Sequence, residues 1–147
     1  MRFSTRARYG MRAMLALALA HGQGPVMAKE IGQQQGVPIN YLEQLLAQLA
    51  KAKLVSSTRG AHGGYVLARP PEEISAMDVV GVLEGPLDLA ECHAGVVCTR
   101  APEACALRDL WCAGSQALVN TFQETSLAEL ARRQQAKDSN HLPMYSI

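Results

Sequence analysis

Four leucines constrain this 147-residue chain more than any other feature. Leu42, Leu45, Leu46 and Leu49 recur at i, i+3, i+4 and i+7, the spacing of one apolar face of an α-helix. The opposite side carries Asn40, Gln44, Ala47 and Lys51, so the helix has an apolar back and a polar, nearly acid-free front. Such a helix buries one side and leaves the other free to lie on something. Before it, residues 27 to 35 make a short helix stopped by Gly36, and Pro38 suits the first turn of the next one. After it, Leu54-Val55 and Tyr65-Val66-Leu67 flank a Gly-rich turn, Arg59-Gly60-Ala61-His62-Gly63-Gly64, which is the pattern of a β-hairpin. An Ala/Leu-rich helix over residues 5 to 20, capped by Ser4 and ended by His21-Gly22-Gln23-Gly24-Pro25, completes the set. Three helices followed by a hairpin make a winged helix-turn-helix, with the third helix in the recognition position.

The charge distribution agrees. The net charge of +1 conceals a basic half and an acidic half. Residues 1 to 71 hold nine Lys or Arg against Glu30 and Glu43, a net +7, whereas residues 72 to 147 carry a net −6. This asymmetry suits a polyanion-binding module joined to one with another task, and equally two solvated faces of a neutral protein. Arg2, Arg6, Arg8 and Arg12 followed by Met14 to Ala20 have the look of a secretory signal. The apolar stretch is short and Ala-rich, and its removal would delete a helix the domain needs, so a cytoplasmic location is expected. No apolar run approaches a membrane span, which at about 18 residues is far longer than any here.

Pro70-Pro71 separates the two halves. Ser75-Ala76-Met77-Asp78 is a capping-box start for a helix through Val79, Val80, Val82 and Leu83, stopped by Gly85-Pro86. A long loop follows, and from about Leu107 a long helix carries Leu107, Leu110, Trp111, Ala117, Leu118 and Phe122. Ser126-Leu127-Ala128-Glu129 reads as a second capping box opening a short last helix. The expected organisation is therefore a DNA-binding region over 1–71, a linker helix, cysteine loop and long helix over 72–131, and a disordered tail over 132–147. The fold class is mostly α with a small β-hairpin.

Cys92, Cys98, Cys105 and Cys112 are spaced by five, six and six residues, a crowding that core packing does not produce. A disulfide framework does not suit a chain with its own core and no export signal. Zinc sites use C-x₂₋₄-C knuckles, which are absent. An iron–sulfur cluster held on a flexible loop, zinc, and redox thiols all stay open on spacing alone. Cys112 lies two helical turns after Cys105 if both are helical, about 10.5 Å of rise, too far for one small cluster unless Cys105 precedes the helix. Beside Trp111, it reads as a buried small hydrophobe. His93 adjoins Cys92 but reads more simply as an exposed loop residue.

Three stretches are familiar: Tyr41 to Leu46, the wing from Arg59 to Ile74, and Asp78-Val79-Val80 to Glu84-Gly85-Pro86. Together they resemble the IscR-type winged-helix regulators, a family that includes the nitric-oxide sensor NsrR and the cysteine-metabolism regulator CymR. The resemblance runs from residue 1 to about 131. It implies a homodimer whose long C-terminal helices pack together, and an iron–sulfur cluster on Cys92, Cys98 and Cys105, with [2Fe–2S] favoured over [4Fe–4S]. Two departures leave the fourth ligand open. Arg108 stands three residues after Cys105, where IscR has a ligating His, and Arg8 stands where some NsrR-like members supply an acidic ligand from the partner subunit. Six residues, where IscR more often has five, separate the last pair of cluster cysteines.

The expected function is that of a DNA-binding transcriptional regulator, a repressor, whose operator binding responds to the cluster in iron–sulfur biogenesis or a redox or nitric-oxide response. The partners are a double-stranded DNA operator and a second copy of the chain, with no membrane and no small-molecule substrate. The residues expected to contact DNA are Asn40, Tyr41, Glu43, Gln44 and Lys51 on the third helix, and Arg59 and Gly60 in the wing. Glu43, the one acid on that helix, either reads a base or serves as an intrahelical partner or cap. Two rivals remain: a cluster-free thiol regulator of the same family, and a small iron–sulfur electron carrier, which leaves the basic half unexplained. No nucleophile–base pairing or phosphate loop suggests an enzyme.

Overall fold

The computed structural model describes residues 2–90 and 101–141. Ser4 opens the first helix, α1 (Thr5–Leu19), by accepting a hydrogen bond from the Ala7 N–H at 3.1 Å. A second helix, α2 (Ala28–Gln35), ends at Gly36 in the left-handed region, with φ 65°. The third, α3 (Ile39–Lys51), starts directly after Pro38. Strands β1 (Val55–Thr58) and β2 (Gly64–Leu67) pair antiparallel, Val55 opposite Leu67 and Thr58 opposite Gly64, and close on a five-residue tip. Val26 bridges to Tyr65, so the turn after α1 is stitched to the hairpin.

The core lies where α1, α2, α3 and the hairpin converge. Leu42, Leu45, Leu46 and Leu49 are at most 1 % exposed and pack with Met14, Leu17, Ile31, Val55 and Leu67. Each buried leucine contributes about 1.5–3 kcal/mol relative to leaving it in water. The apolar face expected from the leucine spacing is thus the face the fold buries.

After a 3₁₀ turn at Pro71–Glu73, helix α4 (Ala76–Leu83) begins with the reciprocal cap expected of its sequence. The Asp78 N–H donates to Ser75 Oγ and the Ser75 N–H donates to the Asp78 carboxylate. Helix α4 crosses α1 closely at Gly10, where an added Cβ would fall 2.0 Å from a methyl of Leu83. The Ser4 N–H and hydroxyl both donate to the Glu84 carboxylate, fastening the end of α4 to the start of α1.

A 3₁₀ turn at Pro102–Ala104 leads into α5 (Ala106–Glu124), followed by α6 (Leu127–Asn140). The tail expected to be disordered from Arg132 is helical as far as Asn140, so the last helix is 14 residues long and not short. The stretch has neither Gly nor Pro before Pro143. Side-chain pairs four apart, Glu129 with Arg133 and Gln134 with Asp138, support the extension. Only half of the second expected capping box forms: Ser126 Oγ accepts from the Glu129 N–H, while the Glu129 carboxylate turns instead to Arg132 and Arg133. The Ala76 N–H donates to the Thr125 carbonyl and the Leu127 N–H to that of Ile74, while Leu127 is buried against the first-half core.

Candidate nucleic-acid interface and cysteine site

The burial of four leucines turns the rest of α3 outward. Asn40, Glu43, Gln44, Ala47 and Lys51 are all exposed. Glu43 makes no hydrogen bond or ion pair among the described residues, so the alternative of an intrahelical partner or cap finds no support. The other acid of the basic half, Glu30, is the one used as a cap, accepting from the Met27 N–H at 3.3 Å. Tyr41 is placed differently from its neighbours. It is half-buried, on the flank of α3 away from Glu43, with its ring edge-on to Tyr9 at 6.0 Å between centroids. Its ring therefore helps to set how α3 sits on α1.

Arg59 and Gly60 occupy the exposed hairpin tip, Gly60 with φ 115°. The expected contacts thus fall on two elements, α3 and the wing, of a single basic module. Among the described residues no acid pairs with Arg2, Arg6, Arg8, Arg12, Lys29, Lys51, Lys53 or Arg59. Their charge is not neutralised by an acid among the described residues, which suits contact with a polyanion.

Two α1 arginines extend this surface in a way the sequence did not suggest. Arg6 donates to Gln48 Oε1 at 2.9 Å, reaching α3 from α1. Arg12 donates to the Gln35 carbonyl at the end of α2 and lies 5.9 Å from the centre of the Tyr9 ring. A cation at that helix C-terminus is favourable. The acid-free composition of α1 was the available signal, but the partners lie 23 and 42 residues away.

In the cysteine site, Cys92 and Cys98 lie outside the described residues. Cys105 is a half-buried free thiol at the N-cap of α5, with extended backbone, φ −113° and ψ 99°. It therefore precedes the helix, which meets the geometric condition for sharing a cluster with cysteines earlier in the loop. Its position and donor chemistry fit an iron–sulfur cluster. Among the described residues no three His, Cys, Asp or Glu side chains converge into a metal site.

Arg108, one turn further, has a buried Nε without a hydrogen-bond partner among the described residues. Cys112 departs from expectation. It is half-buried rather than buried and lines an open cleft of ≈ 260 Å³ with Met77, Leu87, Ser115 and Val119. Helix α5 packs against α4, its Phe122 ring meets Phe3 with centroids 5.3 Å apart, and the Leu89 N–H donates to Ser115 Oγ at 2.9 Å. Ser115 is the one α5 residue classed as buried, while Leu107, Leu110 and Trp111 are 61 %, 58 % and 39 % exposed.

Residues 3–133 match the model of the Rrf2 family, described as iron-dependent transcriptional regulators. The HTH-type transcriptional regulator CymR of Bacillus subtilis is 41 % identical over 131 residues, covering 89 % of this chain and 90 % of the relative. The solved structure of CymR, the global cysteine regulator of that organism, superposes with a TM-score of 0.80, covering 90 % of this chain and 98 % of the other. An IscR structure from T. potens, 34 % identical, superposes with a TM-score of 0.74, covering 100 % of this chain and 94 % of the other.

Proposed function

The chain belongs to the Rrf2 family of transcriptional regulators, and from that premise we propose that it is a cytoplasmic, homodimeric repressor whose operator binding is governed by its cysteine loop. The observation that carries the DNA-binding reading is the polar face of α3, displayed beside a wing whose Arg59 has no acidic partner among the described residues. Asn40, Glu43, Gln44 and Lys51 read or approach the major groove, and Tyr41 positions the helix through Tyr9. Arg59 and Gly60 bring the wing to the adjacent minor groove. The exposed Leu107, Leu110 and Trp111 support the second copy, since an apolar helix face of this size calls for a partner.

Cys92, Cys98 and Cys105 would hold an iron–sulfur cluster, [2Fe–2S] favoured over [4Fe–4S], as the similarity to IscR structures suggests. When bound, the cluster supplies a redox-sensitive centre at the start of α5. The chain's own part is to connect that point to the DNA-binding module. Ser115 holds the Leu89 backbone, α4 packs on α1, and Glu84 grips Ser4. A change in the loop can thereby bias a two-state arrangement of the module. The similarity to a global cysteine regulator favours a second reading, in which the same cysteines act as cluster-free redox thiols.

One set of variants separates the two readings. The protein and its Cys92→Ala, Cys98→Ala, Cys105→Ala and Cys112→Ala variants are purified anaerobically and assayed for visible absorption, iron and sulfide. The cluster reading expects a chromophore in the native protein and in Cys112→Ala and none in the other three. A colourless native protein whose DNA binding responds to thiol oxidation supports the second. Duplexes selected from a randomised pool, with binding measured at two salt concentrations, test the DNA reading itself.

A further inference from the structure

The recognition helix presents one residue that neither its core nor its polar face accounts for. Ile39, the first residue of α3, is 41 % exposed, whereas the leucines of that helix are at most 1 % exposed. The core closes without it. We infer that Ile39 is a specificity residue that recognises the C5-methyl group of a thymine in the major groove. This rests on the DNA-binding reading above and deepens it.

Three features carry the inference. Ile39 stands one helical turn before Glu43 on the same flank of α3, so a groove that admits Glu43 to a base edge meets Ile39 at a neighbouring base pair. Its orientation is set on one side only. A Cβ built on Gly32 of α2 would lie 3.5 Å from Ile39 Cγ1, so that branch lies near Gly32 while the residue as a whole stays 41 % exposed. Branching at Cβ restricts χ1, so less rotational freedom is lost when the side chain meets DNA. The chemistry is then selective. The major groove offers one apolar group, the thymine methyl, and an apolar side chain there recognises it by contact.

Scattered exposed apolar residues are ordinary on protein surfaces, and position is what distinguishes this one. The other large apolar side chains exposed among the described residues are Met27, Leu89, Leu107, Leu110 and Trp111, and none lies on α3.

The test uses a duplex selected by the full-length protein from a randomised pool. Each thymine is replaced in turn by deoxyuridine, which removes the methyl and nothing else. Native protein should lose about fourfold in affinity at one position per half-site, the effect of burying a single methyl group. Ile39→Ala should bind the thymine and uracil duplexes equally, at the weaker level. Ile39→Val, which retains the β-branch and hence the helix start, should show an intermediate penalty. Indifference of the native protein to every replacement overturns the inference, as does a penalty of unchanged size in Ile39→Ala. Failure to select any duplex would instead refute the DNA-binding reading from which the inference starts.

Discussion

Helices α3 and α5 are both amphipathic, and they spend their two faces in opposite ways. Helix α3 buries four leucines almost completely and leaves its polar side in water. Over 19 residues α5 buries one serine and leaves leucines and a tryptophan exposed. The difference bears on the role proposed for each. A helix with a satisfied apolar face and an acid-poor polar face is complete as a protein element and lacks only a polyanion. A helix with an unsatisfied apolar face lacks protein. On the reading proposed above, the first half of the molecule is complete by itself and the second is completed by a second copy.

The contrast is sharpest in a pair of substitutions. Leu46→Ala should cost about 2–5 kcal/mol of unfolding free energy, because it opens a cavity in a fully buried cluster. Leu110→Lys should leave each protomer's helical content in place and shift the molecular mass in sedimentation or light scattering from dimer to monomer. Operator affinity should fall with it, since two linked half-sites are lost. If Leu110→Lys keeps the native mass, α5 does not complete itself on a second copy and the comparison breaks.

Next in size are the effects on reading. Glu43→Ala should lose about 1–3 kcal/mol of discrimination at one base pair per half-site, because a carboxylate accepts from the cytosine amino group and penalises acceptor-only bases. Selection on randomised operators would show one position losing its preference. Tighter binding with every preference intact would make Glu43 a plain repulsive charge.

Arg59→Ala should weaken all sequences nearly alike. It should also reduce the steepness of log K against log salt by about 0.9 for each phosphate contact removed. An unchanged affinity at two salt concentrations would mean the wing arginine is only solvated.

The smallest effect sits in the second half. The Arg133 hydrogen bond, with Arg132 and Arg133 as neighbouring positive charges, holds the Glu129 carboxyl below its ordinary range. A carboxylate with a depressed folded-state pKa stabilises above its unfolded value, about 4.3 for Glu, and loses that contribution as pH falls through the lower folded value. The start of α6 should therefore loosen slightly on acidification below about pH 4.3. Glu129→Gln should abolish that dependence in amide hydrogen exchange, and a variant with the native profile would assign it elsewhere.

Much of the fold was legible because it is local. The periodic leucines, Ser4 and Ser75 as caps, Gly36 as a stop and the Gly-rich hairpin tip each act through neighbours within a turn or two of chain. The end of α6 was misjudged for an equally local reason. A polar, uncapped stretch looks like a frayed tail until side-chain pairs such as Gln134 with Asp138 form along it. The exposure of Asn40, Gln44, Lys51 and Arg59 followed from the pattern, while the grouping of Cys105 with Cys92 and Cys98 came from the family resemblance. Tyr41's packing on Tyr9, Arg6's reach to Gln48 and the exposure of Ile39 did not follow, because each depends on how separate helices are set against one another.

The sequence by itself determined which faces are apolar, where helices begin and stop, and that one half is basic, since these are properties of neighbours in the chain. Only the tertiary structure decided which apolar residues find a partner within the chain and which do not. Leu46 and Leu110 belong to equally helical sequences. One is buried because α1, α2 and the hairpin close around it, and the other is 58 % exposed on a helix whose single buried residue is Ser115.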